Sequence, residues 1–294
     1  MTSAAARNGA LMTVASMMSV QLGAALAVDL MDGVGPLGVA WVRLAWAGTL
    51  MLLFVRPRPS SFTRSAVLSC VMLGVATAGF TLLFMEAVSR IPLGTASALE
   101  FLGPLAIAVV KGRGRGRALF PAMAAMGVVL LTQPWAAAVD PVGVLAALGS
   151  ALCLGAYIML TQRVGDEVSG ITGLAVSMPV AGLIVTAVAA PSALGHLTPD
   201  LLLAGLGLAI LLPVIPFTLE LHALRRLTAA SFGTLMSLEP AFAMLLGLLI
   251  LHQVPQAAAV VGIVLVILAG VGAARSGARP EVEAAHRDRA LMVE

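Results

Sequence analysis

The sequence predicts an all-α membrane protein of ten transmembrane helices, arranged as two inverted five-helix repeats. Three observations carry that prediction. Hydrophobic residues make up 60% of the chain and charged ones only 11%, with a mean hydropathy of +1.03, whereas soluble domains carry about 25% charged residues. Apolar runs near 20 residues recur along the chain, the length a helix needs to cross a bilayer. The second half also echoes the first at a nearly fixed offset. A β-barrel is excluded, because barrel strands alternate over about 10 residues and these runs stay apolar throughout.

The ten expected spans are 10–28, 36–55, 66–88, 93–110, 119–139, 142–162, 171–190, 201–224, 229–251 and 257–274. The loops between them are short and leave no room for a soluble domain. Charge placement orients the array. With both termini cytoplasmic, the inside segments hold 15 of the 17 Lys and Arg residues. The outside loops hold only Arg90, and Arg43 lies within a span. That is a strong positive-inside bias. It also explains the tract Lys111-Gly-Arg-Gly-Arg-Gly-Arg117 as a topology anchor, so the net charge of +3 implies a lipid bilayer and no nucleic acid. Cys70 and Cys153 fall within spans, away from the oxidising side, and no disulfide is expected. The first apolar run follows Arg7 but is too long for a signal-peptide core, and it has a counterpart later in the chain.

That counterpart is span 6. At an offset of 141, Ala10/Ala151, Leu11/Leu152, Ala15/Ala156, Met18/Met159 and Gln21/Gln162 are identical. An offset of 136 pairs Ala87/Ala223, Arg90/Arg226, Leu99/Leu235, Leu102/Leu238 and Pro104/Pro240, and Gly127 matches Gly262. The domains expected are residues 1–139 (spans 1–5), 140–274 (spans 6–10) and a polar, disordered cytoplasmic tail over 275–294. Five spans per repeat is odd, so the second repeat enters the membrane from the opposite side. Inverted repeats recur in secondary transporters, with substrate bound near the midplane between the halves.

Polar residues within the spans are the candidate site, because a charge at that depth is costly and normally faces a cavity or a partner. In span 2, Arg43 is too deep to snorkel easily and should pair with a carboxylate or with backbone carbonyls. Glu86 closes span 3 near the outer surface, where solvation explains it. Glu100 lies inside span 4, followed by Pro104, which cannot donate to the carbonyl of Glu100. Trp135, after span 5, marks the outer interface. Tyr157 in span 6 needs a partner for its hydroxyl. Gln21 and Gln162 read as caps closing their spans. In the second repeat, Pro213 and Pro216 kink span 8 ahead of Phe217, Glu220 and His222, with Glu220 near the inner mouth. Pro240 frees the carbonyl of Met236, the repeat equivalent of Glu100, and Glu239 precedes it. In the repeat frame Glu100 and Glu239 are three positions apart and share nearly one helix face.

Arg43, the repeat count, the segment Leu224-Arg-Arg-Leu-Thr-Ala-Ala-Ser231 with Leu235-Met-Ser-Leu-Glu-Pro240, and Gly247-Leu-Leu-Ile-Leu-His252 together resemble the EamA-type drug/metabolite transporter superfamily. Within it the chain looks like bacterial amino-acid exporters of the threonine/homoserine and aromatic kinds. The resemblance covers nearly everything except the tail. It implies ten helices, two EamA repeats, alternating access and export across the bacterial inner membrane. One departure is His252, where relatives often have glutamate. Another is the absence of any acid in span 1 before Asp29, unlike the small multidrug exporters.

The function expected is a secondary transporter exporting neutral or aromatic amino acids through a central cavity. Glu100, Glu239 and Arg43 would supply its charges, and Tyr157 and Phe217 its apolar contacts. The alternative is an exporter or facilitator of other small metabolites or drugs. A nucleotide sugar would call for several basic residues around its phosphates, and only Arg43 is available. No spaced metal set, nucleophile with a histidine base, or phosphate loop is evident, so no enzyme activity, metal, cofactor or ATP is expected. Proton antiport and facilitated diffusion both stay open.

Overall fold

The computed structural model describes residues 3–57, 62–111, 119–133, 140–168, 172–224, 226–227 and 229–276. Their regular elements are all helical: α1 Ser3–Asp29, α2 Met31–Val55, α3 Arg64–Val88, α4 Leu93–Glu100, α5 Leu102–Lys111, α6 Leu119–Thr132 and α7 Pro141–Glu167. The chain continues with α8 Leu174–Ala193, α9 Pro199–Ala209, α10 Ile215–Leu224, α11 Ala229–Met236, α12 Glu239–Leu249 and α13 Ala257–Ser276. Six helical runs are long and apolar enough to cross a membrane: Arg7–Asp29, Met31–Val55, Arg64–Val88, Pro141–Glu167, Leu174–Pro191 and Ser231–Leu249. Four shorter apolar runs accompany them, at Leu93–Ile107, Leu119–Thr132, Pro199–Val214 and Ala257–Ala273. The basic tract over 112–118, Trp135 and the tail over 277–294 lie outside the described residues.

Local chemistry sets the helix ends. Thr63 accepts the Ala66 N–H at 3.2 Å and Thr198 the Leu201 N–H at 3.2 Å, so α3 and α9 start on capped turns. Asp140 caps α7 through Val142 at 2.7 Å and Gly143 at 3.4 Å, with Pro141 at the first helical position. Gly35, at φ +72°, breaks the start of α2, and the regular helix begins at Pro36 as the sequence predicts. Span 8 is interrupted rather than simply kinked. Residues Ile210–Val214 form a π-turn, with Ile215 N–H bonding to the Ile210 carbonyl. Pro213 and Pro216 lack donors, and the wider turn absorbs the loss.

The polarity of the packing is reversed relative to a soluble bundle. Large apolar side chains such as Phe54, Leu68, Leu152 and Leu203 point outward, and small and hydroxylated residues fill the centre. Ala24, Ala25, Ala40, Ala147 and Ala181 are buried there, with Thr13, Ser16, Thr81, Ser97, Ser150 and Ser177. Small residues let backbones approach closely. The helices pair in a regular way: α2 on α8, α3 on α7, α1 on α10, α6 on α13 and α4 on α12. Gly127 and Gly262 meet face to face, each placing its carbonyl 2.8 Å from where the other's Cβ would stand. These pairings cross from the first half of the chain to the second, and they place two interrupted helices side by side at the centre.

Candidate functional site

The two interruptions are built by proline. α4 stops at Glu100, and Pro104 has no N–H to offer the Glu100 carbonyl. α11 stops at Met236, and Pro240 withholds the donor from the Met236 carbonyl in the same way. In both runs the helix resumes at once: Leu105 bonds back to Phe101 at 3.1 Å, and Phe242 bonds back to Leu238 at 3.2 Å. The two carboxylates next to the breaks stand in opposite dipole fields. Glu239 lies in the first turn of α12, where the helix N-terminus favours negative charge. Glu100 ends α4, where the helix field disfavours it, and so it depends on side-chain donors.

Those donors come from the other half of the chain. Ser150 of α7 donates to Glu100 Oε1 and also lies 3.0 Å from the Phe80 carbonyl. The amide nitrogen of Gln21 in α1 donates to Glu239 Oε1 at 3.1 Å and reaches toward Ser97 Oγ of α4 at 3.5 Å. Ser16 of α1 donates to Glu220 Oε1 at 2.8 Å, and Ser19 donates to the Leu211 carbonyl in the π-turn at 2.7 Å. Each half therefore holds the other's carboxylates. A glycine permits the closest of these contacts. A Cβ on Gly103 would collide with the Ala151 carbonyl, beside Ser150.

Arg43 departs from the expectation. It is buried at 8% exposure, and its Nη2 donates to the Thr81 hydroxyl at 3.0 Å, with no carboxylate within ion-pair distance. Among the described residues the ion pairs are Arg90–Glu86, Arg90–Asp140 and Arg163–Glu167, all near helix ends. Thr81 follows Phe80, whose carbonyl shares the Ser150 hydroxyl with Glu100, so Arg43 and Glu100 meet in one polar patch. Glu220 and Glu239 are both held by α1, through Ser16 and Gln21. Arg43, Glu100, Glu239 and Glu220 are thus joined in one linked set through Thr81, Ser150, Gln21, Ser97 and Ser16. Tyr157 packs edge-on against Phe80, with centroids 5.4 Å apart.

The remaining candidates are less central. Pro216 is buried behind the π-turn, His222 is exposed on α10, and the side chain of Phe217 lies outside what is described. His252 sits exposed in the turn after α12 with φ +54°. Gln21 overturns its reading as a cap: α1 continues to Asp29, and Gln21 is 2% exposed within it. Gln21, Ser16, Ser97, Ser150 and Thr81 were not singled out as site residues from the sequence. The internal repeat touches only two of them, aligning Gln21 with Gln162 and Ser16 with Tyr157, and Ser97, Ser150 and Thr81 carry no sequence signal of their own.

One end of the bundle is organised by Arg90. It donates to Glu86 at 2.6 Å and to Asp140 at 3.3 Å, and these bonds, Glu86 first, raise its pKa. Glu86 is therefore ion-paired as well as partly solvated. Capping of Val142 and then the Arg90 bond hold the Asp140 carboxyl below its ordinary range. At the same end, a cavity of about 120 Å³ lies among Thr95, Met244, Gln133, Gln253 and Gln256. Gln253 Oε1 accepts the Leu93 N–H at 2.9 Å there, capping α4 from the second half.

Residues 141–274 match the EamA-like transporter family. The threonine/homoserine exporter RhtA of Salmonella typhimurium (strain LT2) is 35% identical over 262 residues, covering 87% of this chain and 88% of that protein. The chain belongs to the EamA-like transporter family. The RhtA of Escherichia coli (strain K12) is 36% identical over 243 residues, 81% of each chain. A crystal structure at 18% identity superposes with a TM-score of 0.61, covering 92% of this chain and 97% of that one, which shows the shared fold. As a member of this family the chain is an integral membrane transporter and not an enzyme.

Proposed function

We propose that this transporter exports small neutral amino acids, of the threonine and homoserine kind, across the bacterial inner membrane by alternating access. One observation carries the reading. The interior holds carboxylates and a guanidinium in one linked set, joined across the two halves by hydroxyl and amide side chains. An α-amino acid is a compact pair of opposite charges, and its recognition calls for acidic and basic groups in one apolar enclosure. The RhtA relatives are named for threonine and homoserine export. Aromatic substrates have less support, since Tyr157 is already packed on Phe80.

The architecture proposed is ten membrane-crossing helices in two inverted repeats, 1–139 and 140–274, with both termini cytoplasmic. The helix pairings support it, because exchanging the halves turns α1 on α10 into α7 on α3 and leaves α2 on α8 and α6 on α13 unchanged. Substrate would bind between the halves, and rocking of one against the other would alternate access. Proton exchange is part of the proposal. Ser150 has one proton and two acceptors. A charged Glu100 accepts a hydrogen bond from that O–H, and a protonated Glu100 donates to Ser150, whose O–H then turns to the Phe80 carbonyl. Both states are satisfied, as a carrier needs. Other metabolites remain the second reading, and phosphorylated ones are disfavoured because Arg43 is the only buried cation among the described residues.

The test is transport by purified protein in liposomes loaded with labelled amino acids. Threonine and homoserine efflux that quickens with an inward proton gradient supports the reading. Efflux of none of a full amino-acid panel refutes it.

A further inference from the structure

Two buried polar atoms of the linked set have no partner among the described residues: Oε1 of Gln21 and Nε of Arg43. Their residues are 2% and 8% exposed. An unpaired buried acceptor costs about 1–3 kcal/mol, so an orphan of this kind in a native interior calls for an explanation. One orphan accepts and the other donates. The ligand that satisfies both must carry a donor and an acceptor of its own.

The amide of Gln21 is oriented by charge. Its nitrogen donates to the Glu239 carboxylate, and a flipped amide would set oxygen against oxygen. Its carbonyl is thereby left open beside a carboxylate, with the Ser97 hydroxyl alongside. A carbonyl and a carboxylate fixed by one another suit a cationic multi-donor. An ammonium supplies three N–H donors and a positive charge, and a hydroxyl supplies one donor and none. Ser97 lies three residues before Glu100, whose partner Ser150 also meets the carbonyl of Phe80, next to the Thr81 hydroxyl that Arg43 binds. The orphan donor therefore belongs to the same set, at its basic end.

Resting on the amino-acid export proposed above, we infer that Gln21 and Glu239 form the subsite for the substrate's ammonium group, with Gln21 the residue that discriminates it from a hydroxyl. The Gln21 carbonyl accepts one N–H and the Glu239 carboxylate another, while Arg43 Nε faces the substrate carboxylate. Gln21 is then a specificity-determining residue, outside the charged positions that composition points to.

The experiment uses the full chain in liposomes. Counterflow of labelled threonine competes against unlabelled threonine and against 2,3-dihydroxybutanoate, in which a hydroxyl replaces the ammonium. The wild type should prefer threonine by about tenfold or more, the effect of roughly 1.4 kcal/mol. In Gln21→Met that preference should shrink about fivefold or more through a raised KM for threonine, with the maximal rate held within about twofold. If Gln21→Met fails to fold, as judged by its thermal melt, Gln21→Asn is read by the same criterion, since it keeps an amide but withdraws it by one carbon. A variant that carries threonine with an undiminished preference overturns the subsite and leaves the export proposal standing. A wild type that carries no amino acid overturns both.

Discussion

The contact that most tightly couples packing to the polar interior is Gly103 against Ala151, and a methyl group tests it. In Gly103→Ala the new Cβ collides with a backbone carbonyl, which cannot rotate away. α5 and α7 must part by roughly 1 Å to restore ordinary van der Waals spacing. Overpacking of this kind costs about 1–3 kcal/mol. Ser150 is adjacent to the displaced carbonyl, so its bond to Glu100 is stretched as well, forfeiting about 1.5–3 kcal/mol for a hydrogen bond to a charged group. Alanine's better helix propensity returns no more than about 1 kcal/mol. The net cost is about 2–5 kcal/mol, which at roughly 2 °C per kcal/mol lowers the melting temperature by about 4–10 °C. The assay is a thermal melt of detergent-purified protein, paired with threonine efflux from liposomes at a temperature where the variant is still folded. Gly207→Ala is the control. A Cβ there meets nothing within 4 Å, so the same exchange should stabilise slightly and leave efflux alone. If Gly103→Ala melts with the wild type and exports at its rate, the close approach does not hold Ser150 on Glu100 and the reasoning fails.

Other consequences are more direct. Glu239→Gln should cut gradient-driven efflux by about tenfold or more and, because the same carboxylate holds the substrate ammonium, raise the KM for exchange at equal pH; normal transport under both conditions would exclude Glu239 as the proton carrier. Arg43→Lys should not rescue the loss of export expected in Arg43→Met, because the ammonium cannot both reach Thr81 and leave a second donor in the same plane; equal efflux in Arg43→Lys and wild type would contradict this. Asp140 has a depressed native pKa, so its contribution to stability is complete above the unfolded value of 3.8 and is lost as pH falls through the lower folded value. Asp140→Asn keeps the helix cap and removes the titration, so melts taken across the acid range should show a flatter acid limb than the wild type; an unchanged limb assigns the acid sensitivity elsewhere.

The all-helical fold was legible because lipid forces every spanning backbone to satisfy itself, so apolar length translates directly into helix. The breaks beside Glu100 and Glu239 were legible for a local reason, since a proline withholds one donor wherever it sits. The partners of those carboxylates were not. Which face Gln21, Ser16 or Ser150 presents depends on how helices distant in sequence are rotated against one another, and hydroxyls are common enough in membrane helices to carry no signal alone. Arg43 shows the same limit. Burial was evident from its place in an apolar run, but the choice of Thr81 over a carboxylate depends on how α2 packs against α3. The π-turn at Ile210–Val214 is a third case, where two prolines announce a distortion and tertiary contact with Ser19 selects its form.

Charge balance ties these features to the transport proposed. Among the described residues the half-buried carboxylates Glu100, Glu220 and Glu239 share the interior with a single buried guanidinium, Arg43. Fully ionised, that set carries an excess of negative charge in a medium that cannot solvate it, and a low dielectric makes the excess expensive. Two kinds of cation can relieve it: protons on the carboxylates, or a bound ammonium. An amino acid arriving with its ammonium at Glu239 removes the need for a proton there, and its departure restores that need. Competition for the same carboxylate is a sufficient basis for exchange, because the protein then favours one occupant or the other on each crossing. A facilitator would have no use for the surplus acid, and replacing Glu220 and Glu239 together by Gln should leave only a weakened, high-KM movement of amino acids down their gradient, without response to pH. Continued pH-driven accumulation in that double variant would place the coupling on Glu100 alone.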